Sequence, residues 1–144
     1  MVKWLMCGTE VGGKGAVAIL ILRLVAGLAF IQHGWPKFQH AFSWMGPEAT
    51  VPGFLQALAA LAEFGGGFAL VLGLATRLAA LGIACVMLVA IFMIHMPPGD
   101  PFVSTGGRSY ELAAVYLVIM TVFLLRGAGQ FSLCHQPDER PPHL

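Results

Sequence analysis

Long apolar runs, broken by isolated polar positions, divide the chain into four stretches at residues 16–34, 54–75, 78–94 and 112–125. The last extends to 109–126 when its polar ends are counted. A bilayer-spanning helix needs about 20 mainly apolar residues, with a range of roughly 17–25. The second stretch meets that length alone, and the others are shorter or interrupted. Taken together, four helices that all lack a charged face cannot be the amphipathic helices of a soluble domain. The pattern predicts an all-α, polytopic four-helix membrane bundle over residues 16–126, with an N-terminal segment (1–15) and a C-terminal tail (127–144). The first stretch is read as a retained span and not as a cleaved signal. Its apolar run is longer than a signal h-region of about 7–15 residues and contains Arg23.

The connections sharpen this topology. Residues 73–77 (GLATR) make a tight turn, so the second and third helices are antiparallel neighbours. Residues 35–53 are longer. Phe38, Ala41, Phe42 and Met45 fall there on one helical face, which predicts a short interfacial helix. Residues 96–108 (MPPGDPFVSTGGR) read as an irregular loop, and the tail after Gly127 as frayed. An even number of spans places both termini on one side. That side carries Lys3, Lys14, Arg77, Arg126 and Arg140 against Lys37 and Arg108 on the other, so the termini are expected in the cytoplasm. Trp35 and Trp44 suit the far interface and Trp4 the near one.

Composition agrees: 58% of residues are hydrophobic and 10% charged, where soluble domains have about 25% charged. A net charge of +1 supplies no basic face for nucleic acid. Cys7, Cys85 and Cys134 form no C-x-x-C pair and suggest neither a disulfide framework nor a zinc site. Cys85, inside an apolar run, reads as a small buried side chain.

The candidate chemistry lies in the ionisable residues at membrane depth. Arg23 and Glu63 sit about 18 Å and about 14 Å from the outer ends of their helices at 1.5 Å per residue. An unpaired charge there is costly, so the two are expected to meet, either to fix register or to do chemistry. Gly27, Gly66 and Gly67 would let the helices approach closely at that crossing. At the outer end, His33, His95 and Glu111 come to similar depth, with Lys37, His40 and Asp100 in adjoining loops. Arg23, Glu63, His33, His95 and Glu111 would then form a polar track suited to proton movement or to a polar head group such as a quinone ring. Two histidines and a carboxylate drawn from three helices lack a diagnostic metal spacing, and no metal is expected.

The stretches LRLVAGLAFIQHGWPKF (residues 22–38) and AEFGGGFALVLGLATRLAA (residues 62–80), with His95 before the Pro-Gly loop and Glu111 opening the last span, resemble the DoxX family of small four-helix membrane proteins. The resemblance covers roughly residues 16–126. It implies a bundle in the bacterial cytoplasmic membrane and a redox association, because related proteins are named as subunits of a thiosulfate:quinone oxidoreductase. On that basis the chain is expected to be a membrane subunit of a quinone-linked or redox-stress system, at most a subunit of an oxidoreductase. Its ligand residues would be Arg23, Glu63, His33, His95 and Glu111. Its partners would be the lipid bilayer, a quinone and a redox subunit. Two alternatives stand beside this reading: a small proton-coupled carrier, and a non-catalytic scaffold for another protein.

Overall fold

The computed structural model describes residues 13–133 and is helical throughout its regular parts. Four helices follow in order: α1 (Gly13–Gln39), α2 (Gly53–Leu72), α3 (Thr76–Val89, continued by a π-helical segment Ala90–His95) and α4 (Glu111–Arg126). Consecutive helices run antiparallel. One end of the bundle, here the base, holds the start of α1, the α2–α3 turn and the end of α4. The opposite end, the rim, holds the 40–52 and 96–110 connections. Lys3, Trp4, Cys7, Cys134 and Arg140 lie outside the described residues.

Lipid is the solvent this surface requires. Ile21, Leu28, Leu58, Leu61, Leu81, Phe92, Val118 and Leu125 all face outward on their helices. Helices Gly13–Gln39, Gly53–Leu72 and Thr76–His95 are each long and apolar enough to cross a membrane. Helix α4, with 16 residues, rises about 24 Å and packs along α3. Phe30, Leu70, Ile83, Met87, Met120 and Phe123 fill the interior. The Phe30 and Tyr116 rings, 4.7 Å apart, bring α1 against α4.

Glycines set the α1–α2 distance. A Cβ on Gly27 would lie 2.8 Å from the Gly67 carbonyl oxygen, and one on Gly67 would lie 2.8 Å from that of Gly27. Nearer the rim, a Cβ on Gly34 would meet the Phe64 main-chain nitrogen at 2.5 Å. The expected close crossing is therefore present. Gly66 differs from Gly67 in facing α3, where a Cβ would meet Ile83 at 3.1 Å.

Four expectations need correction. Helix α1 runs on to Gln39, and no interfacial helix follows: residues 40–45 form turns, with His40, Ser43 and Gly46 N–H groups donating to the carbonyls of Lys37, His40 and Ser43. Pro36 sits inside α1, tolerated because its fixed φ is helical and neighbouring structure can re-satisfy the freed carbonyl. Gln56, buried in α2, then holds the loop. It accepts from Met45 N–H at 3.1 Å on Oε1 and from the Trp44 indole at 3.0 Å on its carbonyl, and it donates to Val51 O at 2.9 Å. Cys85 is exposed on the outer surface instead of buried, because its helix turns Ile83, Ala84 and Met87 inward. The tail does not fray at once: residues 127–129 are buried, and Leu133 N–H donates to Leu72 O at 3.3 Å.

The glycine contacts give a direct test. Gly34→Ala is expected to lower the melting temperature of the detergent-solubilised protein, equivalent to about 1–3 kcal/mol of overpacking. Gly65→Ala, whose Cβ would meet only Leu61 at 3.5 Å, should leave it nearly unchanged. Equal melting of the two variants would contradict the close crossing.

Candidate functional site

Arg23 is 1% exposed, and its partners are carbonyls. Nε donates to Leu70 O at 2.8 Å, Nη1 to Ala128 O at 2.6 Å and Phe131 O at 2.9 Å, and Nη2 to Val71 O at 3.1 Å. Leu70 and Val71 belong to the last turn of α2, where carbonyls lose the i+4 donors of the helix interior and carry the negative end of the helix dipole. The turn that ends α2 makes room. Gly73 adopts φ +71°, with Leu74 N–H donating to Ala69 O at 3.0 Å and Gly73 N–H to Leu70 O at 3.2 Å, a Schellman closure. A Cβ on Gly73 would lie 2.7 Å from Arg23 Nη2. Arg77, in the first turn of α3 and 2% exposed, repeats the device. Its Nε donates to Leu124 O at 3.0 Å and Nη2 to Leu125 O at 3.4 Å, at the end of α4.

The expected Arg23–Glu63 pair does not form. Because α1 extends to Gln39, Arg23 lies about 24 Å from the rim end of its helix and Glu63 about 15 Å from the start of α2. The two are about two helical turns out of register. Glu63, 2% exposed, is held instead by Lys37, whose Nζ donates to its two carboxylate oxygens at 2.7 and 2.6 Å. Lys37 also lies 4.7 Å from the centre of the Trp44 ring, within cation–π range. The close approach at Gly34, one turn before Lys37, brings that ammonium to α2. Beside the pair, Pro36, Lys37, His40, Ser43, Trp44 and Gly46 line an open pocket of about 370 Å³.

Neither candidate histidine meets Glu63 or Glu111, the carboxylates of the expected polar track. His33 is exposed on α1. Its Nδ1 lies 3.0 Å from Ala29 O, and its ring is 6.4 Å from those of Phe30 and Tyr116. His95 closes the π-helical segment with Nδ1 2.8 Å from Asp100 Oδ2. Arg108 Nε donates to the same oxygen at 3.0 Å, and its Nη2 to Ile94 O at 3.0 Å. Glu111 is exposed in the first turn of α4, where the helix dipole favours a carboxylate. The carboxylate on His95 is therefore Asp100 and not Glu111. Among the described residues, no hydrogen bond or ion pair joins any two of Arg23, His33, Glu63, His95 and Glu111. They divide into a base socket (Arg23), an α1–α2 pair (Glu63 with Lys37), His33 about 9 Å below the rim end of α1, and the rim groups His95 and Glu111.

Sequence reasoning missed Arg23's carbonyl socket and the roles of Lys37, Asp100 and Arg108. A signal for Lys37 was available. It falls fourteen residues after Arg23, about four turns, and so on the same face of a helix that need not stop at Gly34.

Two stability outcomes follow. Lys37→Met strands the Glu63 carboxylate and should cost about 3 kcal/mol. The double variant Lys37→Met/Glu63→Leu should lose clearly less than the sum of the single losses. Strict additivity in chemical-denaturation curves of the detergent-solubilised protein would show that the pair carries no coupling. Arg23→Lys keeps the charge but loses the planar fork, and an expected loss of about 1–3 kcal/mol is read from the same curves.

The sequence profile of the DoxX family matches residues 18–96. A protein of Haemophilus influenzae without a characterised role is 34% identical over 119 residues, covering 80% of this chain and 87% of its own. The inner membrane protein YqjF of Escherichia coli is 40% identical over 81 residues, covering 55% of this chain and 62% of its own. The Bacillus subtilis protein named "Putative oxidoreductase CatD" is 29% identical over 129 residues, covering 84% and 86%. No solved structure matches the chain significantly. With the apolar spans already described, these matches identify the chain as a multi-pass protein of the bacterial inner membrane that belongs to the DoxX family.

Proposed function

We propose that this protein is the membrane-embedded part of a quinone-linked redox system, and that it receives a quinone-class head group at its rim. The observation that carries the reading is shared by His33 and His95. In each ring Nδ1 faces a group that only accepts, the Ala29 carbonyl or the Asp100 carboxylate. The hydrogen-bond network therefore assigns the proton of the neutral ring to Nδ1. Nε2 is left as a lone-pair acceptor with no protein partner among the described residues. Such a nitrogen takes the proton of a quinol hydroxyl, and once protonated it donates to a quinone carbonyl.

The surroundings suit a flat, lipid-soluble ring. Phe30 and Tyr116 flank His33 with apolar faces. On the α2 side of α1, Trp35 and Phe38 pack about Phe64 at 5.5 and 4.9 Å. An isoprenoid tail would lie along the exposed leucines and phenylalanines in the lipid phase. The electrons of the head group pass to a separate redox subunit, and the histidines handle the protons. The oxidoreductase in the printed name of the Bacillus subtilis relative agrees with this reading.

Binding of decylubiquinone and of a short-chain menaquinone to the protein in nanodiscs, followed by tryptophan fluorescence, is the direct check. Saturable binding is expected, with His33→Ala and His95→Ala each weakening it about tenfold, the size of one lost hydrogen bond. Absence of saturable binding for both probes, or affinities untouched by both substitutions, would refute the reading.

A further inference from the structure

We infer that Asp100 is the positioning residue of His95: it holds the imidazole in the Nδ1–H form and so makes Nε2 the proton-accepting atom at this corner of the rim. The part played by Nε2 rests on the quinone-linked reading. How the ring is held does not.

The arrangement is built from main chain and side chain together. The last residues of α3 widen into a π-helical segment, Ala90–His95, a geometry often found at functional sites. The chain then reverses at Gly99, where φ is +78°. Asp100 N–H donates to His95 O at 3.1 Å, while Asp100 Oδ2 accepts from His95 Nδ1 at 2.8 Å. One residue therefore closes on His95 twice, through backbone and carboxylate. The double closure fixes the direction from which the carboxylate meets the ring.

Arg108 holds the carboxylate from the other side. Its Nε donates to Asp100 Oδ2 at 3.0 Å, and its Nη2 donates to Ile94 O at 3.0 Å, a carbonyl near the helix end. The Pro-Gly loop thus returns a guanidinium to the residue preceding His95. The Asp100 side chain is 13% exposed and that of His95 20%, against 61% for Arg108. The carboxylate is sheltered, the imidazole sits at the boundary, and the guanidinium reaches toward water. Asp100 and Arg108 are the charged side chains in contact within this group, and the exposed Glu111 opens the neighbouring helix. A plain loop staple would need the Arg108–Asp100 contact alone. The additional carboxylate–imidazole bond is what fixes a tautomer.

When a quinol hydroxyl meets His95, its proton moves to Nε2 and leaves a quinolate oxygen behind. The O–H bond breaks as the N–H bond forms, and Asp100 stabilises the resulting imidazolium. The proton then leaves from Nε2 to rim water, restoring the Nδ1–H form.

The test uses full-length protein with ¹⁵N-labelled histidine in nanodiscs, the His95 signals being assigned by their loss in His95→Gln. The neutral wild-type ring is expected to show the Nδ1–H pattern. Asp100→Ala should shift it to a mixture dominated by Nε2–H. Asp100→Asn, closer in shape, covers the case in which the alanine variant does not fold, and should also lose the single Nδ1–H pattern. A wild-type ring in the Nε2–H form, or a tautomer unchanged by loss of the carboxylate in a folded variant, would overturn the inference. Decylubiquinol titration of the same samples separates the two proposals. No binding to wild type with the tautomer change present would remove the quinone-linked reading and leave Asp100 as the group that sets the ring. Binding with no tautomer change would do the reverse.

Discussion

A guanidinium buried in hydrocarbon must be solvated by the protein, and Arg23 meets that demand with main-chain carbonyls. A carboxylate could have neutralised it, but here the ends of two other segments solvate it with carbonyl dipoles. The last turn of α2 supplies two acceptors, and the chain after α4 supplies two more. A buried carbonyl left short of partners is costly, so the socket serves the acceptors as well as the guanidinium. One side chain therefore resolves both its own desolvation and that of the ends it touches. It also fixes where α1 stands along α2. With Arg23 set against Leu70 and Val71, the antiparallel register brings Gly27 to Gly67, Gly34 to Phe64 and Lys37 to Glu63.

Arg77 applies the same solution to α3 and α4, so the base of the bundle is held by two arginines in carbonyl sockets. The rim is built differently. Its connections are longer and its ion pairs are partly open to solvent. Nε2 of His95 has no protein partner there among the described residues, as is also true of Nε2 of His33 lower on α1. A rigid base with chemically available groups on loops and helix ends at the other end is the usual division between scaffold and site. At the base the arginines that meet helix-end carbonyls are buried, whereas Arg108, which meets Ile94 O at the rim, is exposed.

Much of the fold was legible because hydrophobic length is a strong signal in a chain surrounded by lipid. The four apolar stretches, the tight 73–77 turn and the glycine crossing all emerged from residue type alone. The site was less legible, for a specific reason. Arg23 binds carbonyls, and a carbonyl has no residue type, so the search for its partner turned to the nearest acidic residue at similar depth. That choice depended on ending α1 at Gly34, before a tryptophan, a proline and a lysine that would each mark a helix end in a soluble protein. In the structure α1 continues through all three, which moves its rim end by more than a turn and changes Glu63's partner. Asp100 and Arg108 were hidden by a different limit. A π-helical turn and a glycine reversal bring them onto His95, and neither leaves a periodic pattern in the sequence.

These placements bear on what the polar residues can do together. A proton route from mid-membrane to the rim would require Arg23 and Glu63 to exchange partners with titratable groups along the way. Arg23 donates its N–H groups to main-chain oxygens, which neither take up nor release protons, and a guanidinium stays protonated in any case. Both oxygens of Glu63 accept from Lys37, so the carboxylate serves to balance a charge. The base half of the bundle, as described, contains no chain of exchangeable groups continuing inward from Glu63. The titratable rings of His33 and His95 stand apart from both of these groups, with Nδ1 on Ala29 O and on Asp100 Oδ2. This is the distribution that the proposed quinone-linked reading requires, with proton exchange at the histidines and a charge-balanced interior.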